Sequence, residues 1–156
     1  MSNPKCKLLI IGLGNLIMSD DSLGIHVVRE LQKEDWKEDI SLLEVGTSPL
    51  YYLEEISRAE SLIIVDAIQG GEQAGSIYRL TEENLRSSGN TVRDFHGYSL
   101  LNVIELAREI TNFPTNLVIY GIEPENLSLG EELSQKVKDS MPKLINLIRK
   151  EIENIK

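Results

Sequence analysis

The chain has 156 residues, 41% of them apolar and 26% charged, with a net charge of −9. These are the proportions of one soluble globular domain, spanning 1–156, with room for a sizeable core. No apolar run is long enough to cross a bilayer and no stretch clusters Lys and Arg as a phosphate-tracking surface must, so neither membrane insertion nor a nucleic-acid partner is expected.

Cys6 is the single cysteine, which rules out an internal disulfide and gives it a packing role at the start of a strand. Met1 to Lys7 is short and polar, without a cleavable apolar segment, and the expected compartment is the cytoplasm. Cys6 to Leu13 holds an unbroken apolar run, Leu8-Leu9-Ile10-Ile11. Continuous rather than alternating apolar residues indicate a central parallel strand covered on both faces. Ser22 to Lys33 reads as a helix with Leu23, Val27 and Leu31 on one face and Val28 at its margin. His26 falls on the opposite, solvated face with Arg29 and Glu30. Ile40 to Val45 is a second strand and Gly46-Thr47-Ser48-Pro49 a turn, with Pro49 suited to the first turn of the helix Leu50 to Ser57. Ser61 to Ile68 is a third strand, apolar until Asp66.

The segment Gln69 to Gly75 is too short for a parallel crossover, so the next strand, Ser76 to Leu80, is expected to form a hairpin antiparallel to the third. Glu82 to Arg93 is polar, a loop with a turn of helix. Tyr98 to Thr111 is a helix, Leu117 to Ile122 the fifth strand, and Glu131 to Asn154 a final helix that Pro142 should kink or split. The order predicts a three-layer α/β/α domain with a five-stranded, mostly parallel sheet containing one antiparallel strand. Right-handed crossovers place the first strand between the second and third.

Ligand sites in such sheets lie beyond the carboxyl ends of the strands. Asp20 and Asp21 follow the first strand, Asp66 ends the third, and His96 precedes the helix that leads to the fifth. Two carboxylates and an imidazole suit a divalent first-row metal, and a helix N-terminus favours the neutral ring that a metal needs. Plainer roles are open to each residue. Asp20 or Ser22 is the expected N-cap of the first helix, and His96 could be an ordinary loop residue. Asp66 sits in an apolar run, where a charge is costly without a partner. Spacing alone leaves a metal or acid–base site and unrelated loop polars both standing. A dinucleotide fingerprint is disfavoured, because its third glycine is Ile17 here and two acids occupy the place of the phosphate.

Gly12-Leu13-Gly14-Asn15 followed by Ser19-Asp20-Asp21-Ser22-Leu23-Gly24 resembles the opening signature of the hydrogenase maturation endopeptidases. Ile64-Val65-Asp66-Ala67, Phe95-His96-Gly97 and Tyr120-Gly121-Ile122-Glu123-Pro124-Glu125, with Leu129-Gly130 and Leu133-Ser134, resemble its later motifs. The resemblance implies a protease that removes the C-terminal peptide of a nickel-loaded large-subunit precursor of a nickel-iron hydrogenase. It implies that Asp21, Asp66 and His96 recognise the nickel carried by that precursor, with another divalent metal as surrogate. The bond would be cut either by metal polarisation of the carbonyl with an activated water or by general acid–base work of a carboxylate, Asp21 or Asp20, and Gly46 and Thr47 would bind substrate. The alternative is a non-proteolytic nickel-binding chaperone that keeps the three ligands and does not cleave. In departure from the family pattern, Asp21 stands where Glu is frequent and Ser22 where Gly is frequent. No nucleophile arrangement and no His-Glu-x-x-His helix is present.

Overall fold

In the computed structural model, which describes residues 6–86 and 96–155, β1 (Cys6–Leu13) pairs in parallel with β2 (Ile40–Gly46) on one side and β3 (Ala59–Ala67) on the other. β5 (Asn116–Ile122) runs parallel to β3, and β4 (Ile77–Thr81) forms the far edge, antiparallel to β5. The order is therefore β2-β1-β3-β5-β4. The first strand lies between the second and third, as right-handed crossovers require.

β4 has the expected direction but a different neighbour. It does not form a hairpin with β3, because β5 lies between them. The connection after β3 instead steps over the end of β5. Ile68 donates to the Ile122 carbonyl, Gly75 to that of Glu123, and Glu123 to that of Ser76. Seven residues cannot make a parallel crossover, yet they easily reach two strand spacings of about 4.8 Å each. A short connection constrained the direction of β4 without constraining its partner.

Alternation along the buried strands supplies both faces of the sheet. Leu8, Ile10, Ile63, Val65, Val118 and Tyr120 point to α1 (Leu23–Leu31) and α5 (Gln135–Asn154). Leu9, Ile11, Leu62, Ile64 and Ile119 point to α2 (Leu53–Ser57) and α4 (Gly97–Thr111). Both sets are almost wholly buried, which explains why the strands read as continuous apolar runs. A 3-10 turn over Pro49–Tyr52 precedes α2, and a short helix, α3 (Glu82–Arg86), follows β4. The remainder of the expected 82–93 loop lies outside the described residues.

α5 begins at Gln135 and runs unbroken through Pro142. Pro142 and Lys138 are both exposed, so the carbonyl that loses its intrahelical partner can be hydrated. His26 departs from expectation as well. It is half-buried, and its Nε2 is buried without a hydrogen-bond partner. Burial, then the nearby Arg29 guanidinium, lowers its pKa below the usual histidine value.

Candidate active site

Glycines decide how β1 meets α1. A Cβ on Gly12 would lie 2.3 Å from the Gly24 carbonyl oxygen, and one on Gly24 would lie 2.2 Å from that of Val65. Only a bare backbone lets the start of α1 sit this close to β1 and β3. Gly14 has φ +128°, and a Cβ there would strike the Asp21 carbonyl oxygen. The chain then closes through a 3-10 turn, Ser19–Ser22, directly into α1.

Neither Asp20 nor Ser22 caps that helix with its side chain. The Ser22 hydroxyl donates backward to the Ser19 carbonyl at 2.7 Å. Asp20 is fully buried and reaches another loop altogether. Its Oδ2 accepts from the amides of Glu125 and Asn126, both at 2.9 Å, and from the Ser134 hydroxyl at 2.8 Å. Its Oδ1 accepts from the Ser134 amide at 2.7 Å, at the N-cap position of α5. Backbone bonds join the same two loops, from Ser19 to Gly130 and from Gly130 to Ile17. Asp20 thus clamps the first loop to the start of α5.

Asp21 faces the other way. Its Oδ2 accepts from the Asn15 amide at 3.0 Å and lies 3.3 Å from His96 Nε2. Asp66, at the end of β3, is wholly buried. Its Oδ1 accepts from the Ala67 amide at 2.9 Å and lies 3.1 Å from His96 Nδ1. Its Oδ2 accepts from the His96 amide at 2.5 Å. Burial pushes the Asp66 carboxyl up, and the His96 ring and amide pull it partly back. His96 occupies the N-cap position of α4. The imidazole therefore bridges two carboxylates, one buried and one at the surface of the cleft.

The structure brings Asp21, Asp66 and His96 together, and Asp20 sits beside Asp21 in sequence while bonding elsewhere. Among the described residues, no three His, Cys, Asp or Glu side chains surround a single point as a closed metal site would. The arrangement is a chain, Asp66–His96–Asp21. With Nδ1 donating to Asp66, the lone pair of a neutral Nε2 would confront the Asp21 carboxylate. With the proton on Nε2 instead, that nitrogen donates to Asp21.

Gly46 and Thr47 are close by. Gly46 has φ +73° and accepts from the Gly14 amide at 3.0 Å. Both residues line a shallow pocket with Asn15 and Leu16. Three contributors stand in the family motifs without having been given a role there: the Asn15 amide, Ser134 and Glu123. Buried Glu123 accepts from the Gly70 and Glu72 amides and from Tyr78 Oη, fixing the connection that crosses β5. Its signal was the one that marked Asp66, a carboxylate ending an apolar run.

The family model described as hydrogenase maturation protease matches residues 25–151, a span that includes Asp66 and His96 and starts after the first loop. The hydrogenase expression/formation protein HupD of Thiocapsa roseopersicina is 26% identical over 145 residues, an alignment covering 90% of this chain and 65% of that protein. This chain thus spans just under two thirds of that relative's length. The hydrogenase maturating endopeptidase HybD from E. coli superposes with a TM-score of 0.83 at 22% identity, covering 95% of this chain and 93% of that one. The NiFe hydrogenase maturation protease HybD from Thermococcus kodakarensis gives a TM-score of 0.80 at 26% identity, covering 92% and 97%. A family model matched across most of the chain, on the same α/β architecture, shows that the chain belongs to the hydrogenase maturation protease family.

Proposed function

We propose that the chain is the endopeptidase that removes the C-terminal peptide of a nickel-loaded hydrogenase large-subunit precursor, reading the substrate's nickel with Asp21 and His96 while Asp66 orients the ring. The observation that carries this reading is the 3.3 Å between His96 Nε2 and Asp21 Oδ2. Two donors bound to one metal at about 2.1 Å in tetrahedral array lie roughly 3.4 Å apart, so these atoms already have the spacing of metal-facing neighbours. The buried Asp66 supplies what a metal-facing imidazole needs behind it, a carboxylate on the other ring nitrogen that fixes the tautomer. Asp66 is then an orienting partner, and as a third ligand it would have to release Nδ1.

Hydrolysis needs an activated water and a polarised carbonyl. Nickel in the precursor can supply the polarisation. Asp21, partly exposed in the cleft, is placed to accept the water's proton on the oxygen that does not face the metal and to return it to the leaving amine, while His96 stays on the metal. Asp20 contributes by holding the loop rather than by touching the reacting atoms. The Gly46–Thr47 turn receives the peptide backbone. The single cysteine suits a reducing cytoplasm, where the precursor would be met.

The test is incubation with a nickel-loaded precursor and mass analysis of the product. The unmodified chain should release one C-terminal peptide, and precursor without nickel should stay intact. His96→Ala should remain folded and release nothing. Nickel-dependent binding without cleavage by the unmodified chain would make it a chaperone and overturn the protease reading.

A further inference from the structure

The large apolar side chains most exposed among the described residues are not scattered. Leu16 and Ile17 follow β1, Leu50 and Tyr51 follow β2, Leu129 follows β5, and Leu106 and Ile110 lie on α4. Tyr51 is 87% exposed and Leu50 62%. Five of these seven lie in loops at the carboxyl ends of the strands, where the candidate site is.

Between the 3-10 turn Pro49–Tyr52 and α4 runs an open groove of about 660 Å³, lined by Thr47, Pro49, Leu50, Tyr51, Val103 and Leu106 among others, with no charged residue among the described residues of its walls. Its end meets the site. Ser99, also in its wall, donates from amide and hydroxyl to the His96 carbonyl. Thr47 lines both this groove and the pocket that holds Asn15. The groove therefore ends beside His96 through Ser99 and, through Thr47, adjoins the pocket of Asn15, which also holds Glu44.

We propose that this groove is the specificity surface for the protein substrate, and that it takes an uncharged, apolar stretch of the precursor adjoining the bond to be cut. The proposal rests on the protease reading for the identity of that substrate. Continuity with the site fixes the occupant as the chain being cut. The uncharged described walls favour an uncharged side chain within the groove. The net charge of −9 favours Lys or Arg in the residues that flank the bound stretch. An apolar surface this exposed is expected to be covered in use.

Binding and cleavage are measured separately with a nickel-loaded precursor and with a synthetic peptide spanning its cleavage site. Leu106→Glu places a charge in the groove at a position already 40% exposed, and Tyr51→Ala removes the largest exposed ring. Each should weaken peptide binding about tenfold or more by calorimetry, a loss seen as a raised KM with kcat largely kept. Circular dichroism checks that both variants stay folded. His96→Ala should bind the peptide like the unmodified chain and cut nothing. If the unmodified chain binds the peptide through Leu106 and does not cut the nickel-loaded precursor, the protease reading fails and the groove stands. Equal binding by Leu106→Glu, or no peptide binding by the unmodified chain, overturns the groove. A dimer in sedimentation that Leu106→Glu dissociates would assign the surface to a second copy and overturn it too.

Discussion

Three acids carry most of the interest, and each is held differently. Asp66 has no solvent contact and shares both oxygens with His96. Burying a carboxylate costs several kcal/mol unless its bonds compensate. Asp66→Asn keeps the shape and removes that charge. It should shift Tm at neutral pH only slightly, because relief of the buried charge is offset by an amide NH2 set against the Ala67 or His96 N–H, while cleavage falls at least about a hundredfold as the tautomer control is lost; thermal melts and a processing assay check the two halves. For Asp20 the opposite pattern is expected. Its four accepted bonds are buried, so Asp20→Ala should cost about 3 kcal/mol or more, read in urea denaturation, and should lower activity only as the first loop loosens. Asp21 and Asp66 were legible in the sequence because each follows a buried strand. The bonds of Asp20 were not, since its donors lie more than a hundred residues away. His26 was misplaced because helical spacing describes one helix face and cannot show that a neighbouring strand edge covers the other. Its folded pKa is lowered, so the native state resists protonation. Stability is full above the ordinary histidine value of about 6.5 and falls as pH drops from there toward the lowered value. His26→Gln should flatten that part of the stability–pH curve, measured by denaturant melts at several pH values.

Elements were read with uneven success for a physical reason. Strands buried on both faces announce themselves by composition, and β1, β3 and β5 were found within a residue or two at most of their ends. The edge strand β4 is only half-buried along its length, and its pairing is decided by what occupies the space beside β3. That space goes to β5, whose seven residues pair with β3 from Ser61 to Ala67. A connection length can fix direction, and the choice of neighbour belongs to the strand that takes the place beside β3. What holds β4 and β5 to α5 is a small polar cluster. Glu151 accepts from Arg79 Nε at 2.9 Å and from Tyr120 Oη at 2.5 Å. The Arg79 bond, opposed by burial, holds the Glu151 carboxyl below its ordinary value, while Tyr120 is pushed up to about 12 by burial and by Glu151. Because the folded pKa of Glu151 is depressed, its contribution is present above the unfolded value of about 4.5 and is lost as pH falls through the folded one. Glu151→Gln should then cost about 1 kcal/mol at pH 7, discounted for the half-exposed Arg79, and little or nothing at pH 3. Equal costs at both pH values in chemical denaturation would show that the cluster acts by packing alone.

At the scale of the whole molecule, charge and ion pairing pull in opposite directions and their magnitudes decide the outcome. The net charge of −9 repels itself in the compact state more than in the expanded one. Against it stand ion pairs such as Lys33–Glu30, Arg58–Glu54 and Lys136–Glu125, whose side chains are 45–71% exposed. Pairs of that kind are worth roughly 0–1 kcal/mol each, and salt weakens them along with the repulsion. The better-shielded Arg108–Glu82 pair, bidentate at 2.7 and 2.9 Å, is screened less. The repulsion is spread over the whole surface, so salt should relieve more repulsion than it removes attraction. Raising NaCl to about 1 M, where the screening length is about 3 Å, should raise Tm at pH 7.5 by several degrees in a calorimetric scan. The increment should shrink as pH approaches the sequence pI of about 4.8, because the net charge that salt screens is vanishing there. A fall in Tm at pH 7.5 would mean that specific pairs outweigh the net charge. An increment that persists near pH 5 would point instead to a general salt effect on apolar burial, and the acidic surface would then serve solubility and substrate approach without destabilising the fold.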